Sequence, residues 1–370
     1  MKICFVTTGD MKNNASSKRA LGLAKYLVDI GWRVSILMED TIENRHHVQM
    51  ECSNDINVYF FSKMKGSKER MWKDNKIKEI NPDVLYICVF VGRNIVGLRH
   101  ESKRVVEHCE LLSKCANIKW YRKIYYYICE FYSIFYADGF VNASRYLEKL
   151  YSKRVRRMLK SNMPMLYSSY AYHAHAFHVV KDENNNLYDN QLKSKTVFVY
   201  LGSIWREYGV FTIVNAAALL REKNEAFVIY ILGGGKDFHE LAQYVEKRNL
   251  QDYVHMTGYV EEEQIEKYFS LASAFISPMN DNVQDWARCP SKLFMYIPYQ
   301  KPIITCKIGE PYEILGTYGM YYDSGSANSM SGQMLKIVQG RGAVPEFNIK
   351  KHTWEMRAKE FSEWFCEKLK

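Results

Sequence analysis

The segment WARCPSKLFMYIPYQKPIITCKIGEPYEIL, Trp286 to Leu315, carries the most informative local pattern in the chain. Its apolar residues have the spacing of one buried face of a short helix: Leu293, Phe294, Tyr296 and Ile297. Pro298 and the turn that follows end this helix. The run Ile303 to Cys306 is short and apolar, which predicts a buried parallel strand.

Two cations stand in the polar loop before the predicted helix, Arg288 and Lys292. The unpaired N–H groups and the dipole of a helix N-terminus attract negative charge, and nearby cations add to that attraction. The segment therefore predicts a site for an anion, with phosphate as the first expectation.

Alternating strands and helices extend outward from this segment in two successive series. The first begins with a strand at Lys2 to Thr8 and an amphipathic helix that Gly31 closes, and the second begins at Thr196. Two such series predict an α/β protein of two doubly wound, Rossmann-like domains that face each other across a cleft. We expect domains at 1–165 and 196–351, a connection at 166–195, and a C-terminal helix, 352–370, that completes the first domain.

Composition places the chain among globular proteins. Its 370 residues are long enough for two full cores, and 47% of them are hydrophobic. The most apolar stretch, 124–140, contains Glu130 and is slightly shorter than a membrane span. The nine cysteines include no Cys-x-x-Cys pair, and the N-terminus lacks a signal-peptide pattern. We therefore expect a cytoplasmic protein with reduced thiols.

The formal net charge of +10 is unevenly distributed. Residues 1–170 hold 29 Lys and Arg against 17 Asp and Glu, whereas residues 171–370 hold 22 against 24. A basic half attracts nucleic acid, anionic membrane or phosphorylated substrates alike. No nucleic-acid-binding module is recognisable. Aromatic and basic residues interleave at 120–127, and 153–160 is also basic. We therefore favour peripheral contact with an anionic membrane, at the inner face of the cell membrane, over a merely buried helix.

The segment that begins at Trp286 closely resembles the nucleotide-binding segment of glycosyltransferase family 4, retaining enzymes with the GT-B fold. That family has a Pro-x-Lys-Leu-Phe-Glu-Tyr pattern, a Gly-Lys-Pro turn, a strand and a loop that ends in Glu-Ile. The matching residues here are Pro290, Lys292, Leu293, Phe294, Tyr296, Lys301, Pro302, Glu313 and Ile314. Met295 replaces the glutamate that contacts the donor ribose, and Tyr208 replaces a lysine before Gly209 that grips the diphosphate.

The resemblance implies a retaining, hexosyltransferase-type enzyme. It would transfer a sugar from a nucleotide-diphosphate sugar to a lipid-linked or polysaccharide acceptor in cell-surface glycan synthesis. The family's retaining enzymes need no metal, so neither a metal nor another cofactor is expected. The first domain would bind the glycan or lipid-linked acceptor, and the second would bind the nucleotide sugar.

The resemblance also assigns roles to residues. The donor-binding residues it implies are Gly202, Arg206, Gly233, Gly235, Tyr259, Val260, Arg288, Lys292 and Glu313. Arg206 and Lys292 would neutralise the departing diphosphate, and His108 would face the transferred sugar. On the acceptor side, Gly9 belongs to the loop after the first strand, and the Glu110 carboxylate could bind an acceptor hydroxyl.

Four other interpretations stay open at this point. Arg206 also fits a solvated surface charge, and His108 fits a satisfied histidine at the end of a strand. Met295 and Tyr208 favour a catalytically silent GT-B protein that binds a sugar nucleotide or a partner transferase. Epimerisation of a sugar nucleotide would need crowded acidic and basic residues that the sequence does not identify.

Overall fold

The computed structural model describes residues 1–11, 15–160, 162–173, 192, 194–342 and 347–370. Contacts between residues divide the chain into two units. Unit 1 comprises Met1–Ala174, Ala287–Cys289 and Lys350–Lys370, and unit 2 comprises His175–Trp286 and Pro290–Ile349. Most of the predicted connection, 174–191 and 193, lies outside the described residues.

Unit 1 contains a seven-stranded parallel sheet with the order β3-β2-β1-β4-β5-β6-β7. Its strands are β1 (Lys2–Val6), β2 (Arg33–Glu39), β3 (Ile56–Phe61), β4 (Val84–Ile87), β5 (Lys103–His108), β6 (Gly139–Asn142) and β7 (Met165–Tyr167). The helices are α1 (Ala15–Asp29), α2 (Ile42–Glu51), α3 (Gly66–Ile80), α4 (Trp120–Tyr136), α5 (Arg145–Arg157) and, at the C-terminus, α13 (Trp354–Lys368).

Both faces of this sheet are covered. Ile3 and Phe5 of β1 pack into one apolar core, and Cys4 and Val6 pack into another. Successive side chains of a strand point to opposite faces, so an unbroken apolar strand requires a core on each side. The short apolar runs of the sequence therefore become central strands of a doubly wound sheet.

Unit 2 contains a six-stranded parallel sheet with the order β10-β9-β8-β11-β12-β13. Its strands are β8 (Thr196–Leu201), β9 (Phe227–Leu232), β10 (Val254–Gly258), β11 (Ala274–Ser277), β12 (Ile303–Cys306) and β13 (Gly319–Tyr322). The helices are α6 (Val210–Arg221), α7 (Phe238–Lys247), α8 (Glu262–Leu271), α9 (Val283–Ala287), α10 (Ser291–Tyr296), α11 (Gly309–Leu315) and α12 (Ala327–Val338).

The two sheets share one winding pattern. When β8 to β13 are numbered one to six, their order in the sheet is 3-2-1-4-5-6, which is also the order of β1 to β6 in unit 1. In sheets of this kind ligands bind at the carboxyl ends of the strands, beside the position where the winding reverses. That position lies beside β1 and β4 in unit 1 and beside β8 and β11 in unit 2. The predicted pair of doubly wound domains is confirmed.

Helix α13 packs against α1 through an aromatic ring that lies on a glycine. A Cβ atom added to Gly22 would lie 2.5 Å from the ring of Trp354. Thr353 caps α13, since its hydroxyl accepts a hydrogen bond from the N–H of Met356 at 3.2 Å. The missing side chain at position 22 therefore lets the C-terminal helix lie directly on unit 1.

We predict that Gly22→Ala destabilises unit 1. The added methyl group overlaps the Trp354 ring, and relief of such overpacking costs about 1–3 kcal/mol. Denaturant unfolding monitored by tryptophan fluorescence measures the change.

Gly332→Ala in α12 is the matched control, because nothing lies within 4 Å of the added methyl group. The control should be neutral or stabilised by about 0.4–1 kcal/mol. Equal effects of the two substitutions would contradict the assigned packing.

Candidate functional site

Two glycines of unit 2 bring neighbouring backbones into close approach at the carboxyl ends of β8 and β9. A Cβ on Gly233 would lie 2.2 Å from the carbonyl oxygen of Gly202. Both glycines have positive φ angles, +147° and +126°, and Gly233 donates a hydrogen bond to Gly258 at 2.7 Å. Any larger residue at position 233 would separate these loops. The predicted residues Gly202 and Gly233 therefore meet, and the end of β10 joins them.

Lys292 extends from α10 to this crossing. Its Nζ atom lies 4.1 Å from the centre of the Tyr200 ring and 2.7 Å from the position that a Cβ on Gly202 would occupy. The aromatic face holds the ammonium group by a cation–π contact. Lys292 and Gly202, predicted from separate parts of the sequence, thus share one place beside the winding reversal of unit 2.

The Gly233-Gly234-Gly235 turn is closed on its other sides by backbone and aromatic rings. A Cβ on Gly234 would lie 2.6 Å from the ring of Tyr259, and one on Gly235 would lie 2.5 Å from the carbonyl oxygen of Ile204. The ring of Tyr259 is 72% exposed. Tyr259 and the glycine turn therefore form an aromatic and backbone surface of the kind that a planar ligand group can contact.

Two residues of the family pattern hold the sheet of unit 2. The Tyr296 hydroxyl accepts a hydrogen bond from the N–H of Leu201 at 2.8 Å, and its ring stacks on Phe275 at 4.4 Å. Lys301 donates to the carbonyl oxygens of Phe269 and Ser270, at 3.3 and 2.8 Å, at the C-terminal end of α8. A cation there stabilises the helix dipole. Burial lowers the pKa of Lys301 to about 8.

Arg206 lies in the loop between β8 and α6, where it forms an ion pair with Glu240 of α7. Its guanidinium lies 3.8 Å from the centre of the Phe211 ring, and its side chain is 57% exposed. The N–H of Arg206 donates to Asp237 at 2.7 Å. The role of Arg206 in binding phosphate stays a prediction. In this structure its guanidinium is paired with the carboxylate of Glu240.

The other predicted donor residues lie on separate elements. Val260 follows β10, and Glu313 is exposed on α11. Met295 is partly exposed on α10, three residues after Lys292, so the two side chains are neighbours along the helix. Arg288 belongs to the segment Ala287–Cys289, which groups with unit 1. Burial raises the pKa of Glu110, and the charge of Arg288 partly offsets that rise.

Unit 1 has a pocket at the carboxyl ends of β4 and β5. It is lined by Cys88, Val89, Phe90, Glu107, His108, Cys109, Glu110, Leu112, Tyr126 and Glu130. Two predicted residues, His108 and Glu110, therefore line one pocket. Tyr126 and Glu130 reach it from α4, four residues apart on the same helical face.

His108 is held in an aromatic and polar shell. Its ring stacks on Tyr151 at 3.7 Å and meets Phe140 edge-on at 4.8 Å. Nε2 lies 3.4 Å from the hydroxyl of Ser133. Burial, with a smaller contribution from the charge of Arg154, lowers the pKa of His108 to about 3. The imidazole is therefore neutral at pH 7 and carries no charge toward a bound sugar.

A buried ion pair lies behind His108. Arg154 donates to Glu130 at 3.2 and 3.3 Å, and the other oxygen of Glu130 accepts from the N–H of Ser113 at 3.1 Å. Both charges are almost completely buried. These contacts connect α4, α5 and the segment after β5, and they set the walls of the pocket.

The loop after β1, which contains Gly9, is held by buried polar groups. Asn44 donates to the Gly9 carbonyl at 3.2 Å and accepts from the N–H of Met11 at 2.9 Å. Lys73 donates to the Thr7 carbonyl at 2.9 Å and to Glu69 at 2.6 Å. The acceptor role of Gly9 stays a prediction.

Sequence reasoning missed Glu107, Tyr126 and Glu130 as residues of the pocket. Glu107 precedes His108 in β5 and accepts hydrogen bonds from Arg19 at 2.6 Å and Tyr86 at 2.8 Å. Glu107 directly follows the apolar pair Val105 and Val106 in β5, and a charged residue at that position was the available signal for it. The spacing of Tyr126 and Glu130 on α4 was a weaker signal.

We predict that His108 contributes to the loss of stability in acid. The folded-state pKa is below the ordinary value, so the unfolded chain binds the proton first, and stability falls as pH decreases from 6.5 toward about 3. Between pH 7 and 5 the free energy of unfolding of the native protein should fall by about 2 kcal/mol more than that of His108→Phe. Phe keeps an aromatic ring against Tyr151.

Denaturant titrations at the two pH values measure this difference. His239→Phe, at an exposed position of α7, is the control and should follow the native profile. Parallel stability curves for the native protein and His108→Phe would contradict the buried, neutral assignment.

No group of metal-ligating side chains with the composition of a metal site occurs in the described part of the chain. None of the helices there is long and apolar enough to cross a membrane.

Residues 183–360, just under half of the chain, match the family model for glycosyl transferases group 1. No curated protein sequence matches the chain.

Solved structures resemble the whole chain. The structure of sucrose-phosphate synthase from Thermosynechococcus elongatus superposes with a TM-score of 0.75 and 16% sequence identity. The match covers 99% of this chain and 98% of that one. HepE from Anabaena in complex with UDP has a TM-score of 0.70 and 12% sequence identity, and the match covers 100% of this chain and 96% of HepE. The lipopolysaccharide outer core galactosyltransferase WaaB has a TM-score of 0.68 and 13% sequence identity, and the match covers 100% of both chains.

At sequence identities this low, the structural similarity establishes the fold alone. The chain therefore has the GT-B fold of these glycosyltransferases, and it carries the group 1 glycosyl transferase sequence pattern over residues 183–360.

Proposed function

We propose that the protein is a retaining glycosyltransferase of the family 4 type, which transfers a hexose from a nucleotide-diphosphate sugar to a lipid-linked or polysaccharide acceptor. The observation that carries this proposal is the position of Lys292. Its ammonium group lies at the crossing of Gly202 and Gly233, where two loops meet without side chains. A cation beside backbone that carries no side chains, at the carboxyl end of a parallel sheet, suits a diphosphate.

The donor would lie along the loops of unit 2. The diphosphate would lie against the Lys292 ammonium beside the Gly202 loop, and the base and ribose would lie toward Tyr259 and the glycine turn. Structures of HepE hold UDP and UDP-glucose. These neighbours support a uridine nucleotide as the first donor to test.

Breaking the glycosidic bond places negative charge on the departing diphosphate. The Lys292 ammonium would stabilise that charge more strongly in the transition state than in the bound donor, which lowers the barrier. Arg206 would add a second cation if a phosphate displaced its partner Glu240. Deprotonation of the acceptor would fall to the leaving phosphate, since burial lowers the pKa of His108 to about 3 and makes its imidazole a weak base.

The acceptor would bind in unit 1. Glu110 and the neutral His108 line the pocket at the ends of β4 and β5, where carboxylate and imidazole groups can accept hydrogen bonds from sugar hydroxyls. The proposed setting is the cytoplasmic face of a cell membrane, with unit 1 in contact with anionic lipid. We expect the reaction to need no metal.

The alternative is a catalytically silent protein of the same fold that binds a sugar nucleotide or a partner transferase. Two substitutions favour it: Met295 has no oxygen to accept a bond from the ribose, and Tyr208 has no cation for the diphosphate. Donor hydrolysis separates the two hypotheses, since only the enzyme would release the free sugar.

We predict that Lys292→Ala weakens nucleotide binding by about 10- to 100-fold, because it removes a charge-assisted contact with phosphate. Calorimetry and thermal shift with UDP-, GDP- and ADP-sugars measure the effect, since a ligand that binds the native state raises its apparent stability. Lys307→Ala is the control, because Lys307 is also a cation over a tyrosine ring of unit 2. Retained nucleotide affinity in Lys292→Ala would remove the main support for the proposed donor site.

We predict that Met295→Glu strengthens binding of the same nucleotide about tenfold, because the carboxylate can accept a hydrogen bond from a ribose hydroxyl. Met295→Leu keeps the position apolar and should bind as the native protein does. Donor hydrolysis measured alongside affinity shows whether the substitution also raises activity. Unchanged or weaker binding in Met295→Glu would mean that position 295 does not lie at the ribose.

A further inference from the structure

Helix α4 exposes a row of large apolar side chains. The residues of this outer face are Trp120, Tyr121, Ile124, Tyr125, Tyr127, Ile128, Tyr132 and Phe135. Trp120 is 74% exposed and Ile128 is 60% exposed. The opposite side of the helix is buried, including Cys129, Ser133 and Ile134. Single exposed apolar residues are ordinary, but a continuous row of this length marks a surface that contacts another molecule.

A turn of the chain extends this outer face. Lys160 donates to the Ile134 carbonyl at 3.0 Å and lies 5.5 Å from the centre of the Phe135 ring. The turn that precedes it, Met158 and Leu159, therefore lies beside the C-terminal end of α4. Leu159 is 93% exposed and has a φ angle of +56°, a conformation that leucine rarely adopts.

Cations border the outer face at both ends. Lys119 and Arg122 are exposed at the start of α4, and Arg156 and Arg157 are exposed at the end of α5. Glu130 is the only acidic residue from 112 to 137, and it is buried against Arg154. Aromatic rings flanked by cations, without exposed carboxylates, complement the headgroup region of an anionic bilayer.

The inner side of the same helix lines the pocket of unit 1 through Tyr126 and Glu130. One helix thus separates the outer face from the pocket that contains His108 and Glu110. An α-helix with its side chains is about 10–12 Å across, so a group attached to a membrane lipid needs to rise only about that far to reach the pocket.

We propose that the outer face of α4 and the turn at Met158 and Leu159 lie in the headgroup region of an anionic membrane, and that the pocket behind α4 receives an acceptor carried by a lipid of that membrane. The choice of a lipid-linked acceptor rests on the proposed function. Membrane binding itself needs neither donor nor acceptor, so it succeeds or fails independently.

The test measures partition of the full chain onto vesicles of phosphatidylcholine alone and of phosphatidylcholine mixed with phosphatidylglycerol. The native protein should bind the mixed vesicles and not the neutral ones, and added salt should weaken binding. The triple variant Trp120→Ser, Ile124→Ser, Ile128→Ser should lose at least about tenfold in partition. Arg156→Glu with Arg157→Glu should also lose about tenfold or more.

A matched triple variant controls for loss of exposed apolar surface elsewhere in unit 1. Ile42→Ser, Met50→Ser and Met71→Ser change exposed residues of α2 and α3 and should keep the native partition. Nucleotide-induced thermal shifts of each variant show whether unit 2 remains folded and able to bind donor.

Three outcomes would overturn the proposal. One is that the native protein does not bind mixed vesicles. Another is that the control variant loses as much binding as the α4 variant. The third is that the native protein is a dimer without affinity for lipid, which the α4 variant converts to a monomer, since the outer face would then bind a second copy of the chain. Nucleotide binding without vesicle binding would leave the donor site intact and reject only the membrane surface.

Discussion

The arrangement of unit 2 depends on a steric constraint, the close approach of the Gly202 carbonyl and Gly233. Two parallel strands end side by side here, and their exit loops cross at a distance that excludes any Cβ atom. Backbone without side chains and a nearby Lys292 ammonium are thereby placed at the winding reversal of the sheet. A larger residue would move one loop outward and carry the aromatic surface of Tyr259 away from the cation.

Unit 1 is organised differently, by buried charge. The pair Arg19–Glu107 connects α1 to β5, the pair Lys73–Glu69 lies within α3, and Arg154–Glu130 joins two helices behind the pocket. Burying such pairs costs desolvation, which only close geometry and further hydrogen bonds offset. The additional bonds are present: Lys73 also donates to Thr7, and Glu107 also accepts from Tyr86. These contacts set the positions of pocket walls and loops.

Much of the fold follows from periodicity. Apolar runs indicated strands at the start of the chain and at Ile303 to Cys306, and the structure has β1 and β12 at these places. The resemblance brought Lys292 and Gly202 to one site, because parallel strands end at a common edge. What could not be predicted depends on contacts between distant residues. The pairing of Arg206 with Glu240, the stacking of His108 on Tyr151, and the grouping of Arg288 with unit 1 leave no trace in local sequence.

The roles of Tyr296 and Lys301 change what the family signature means. The first secures the end of β8, and the second secures the end of α8, so both would be required of any chain that folds this way. Selection for folding alone would preserve most of the signature. A lineage that had lost transferase activity would keep it and still resemble its active relatives, whereas a change at Lys292 would leave the architecture intact. Within this sequence pattern, far fewer residues would take part in the chemistry than take part in the resemblance to the family.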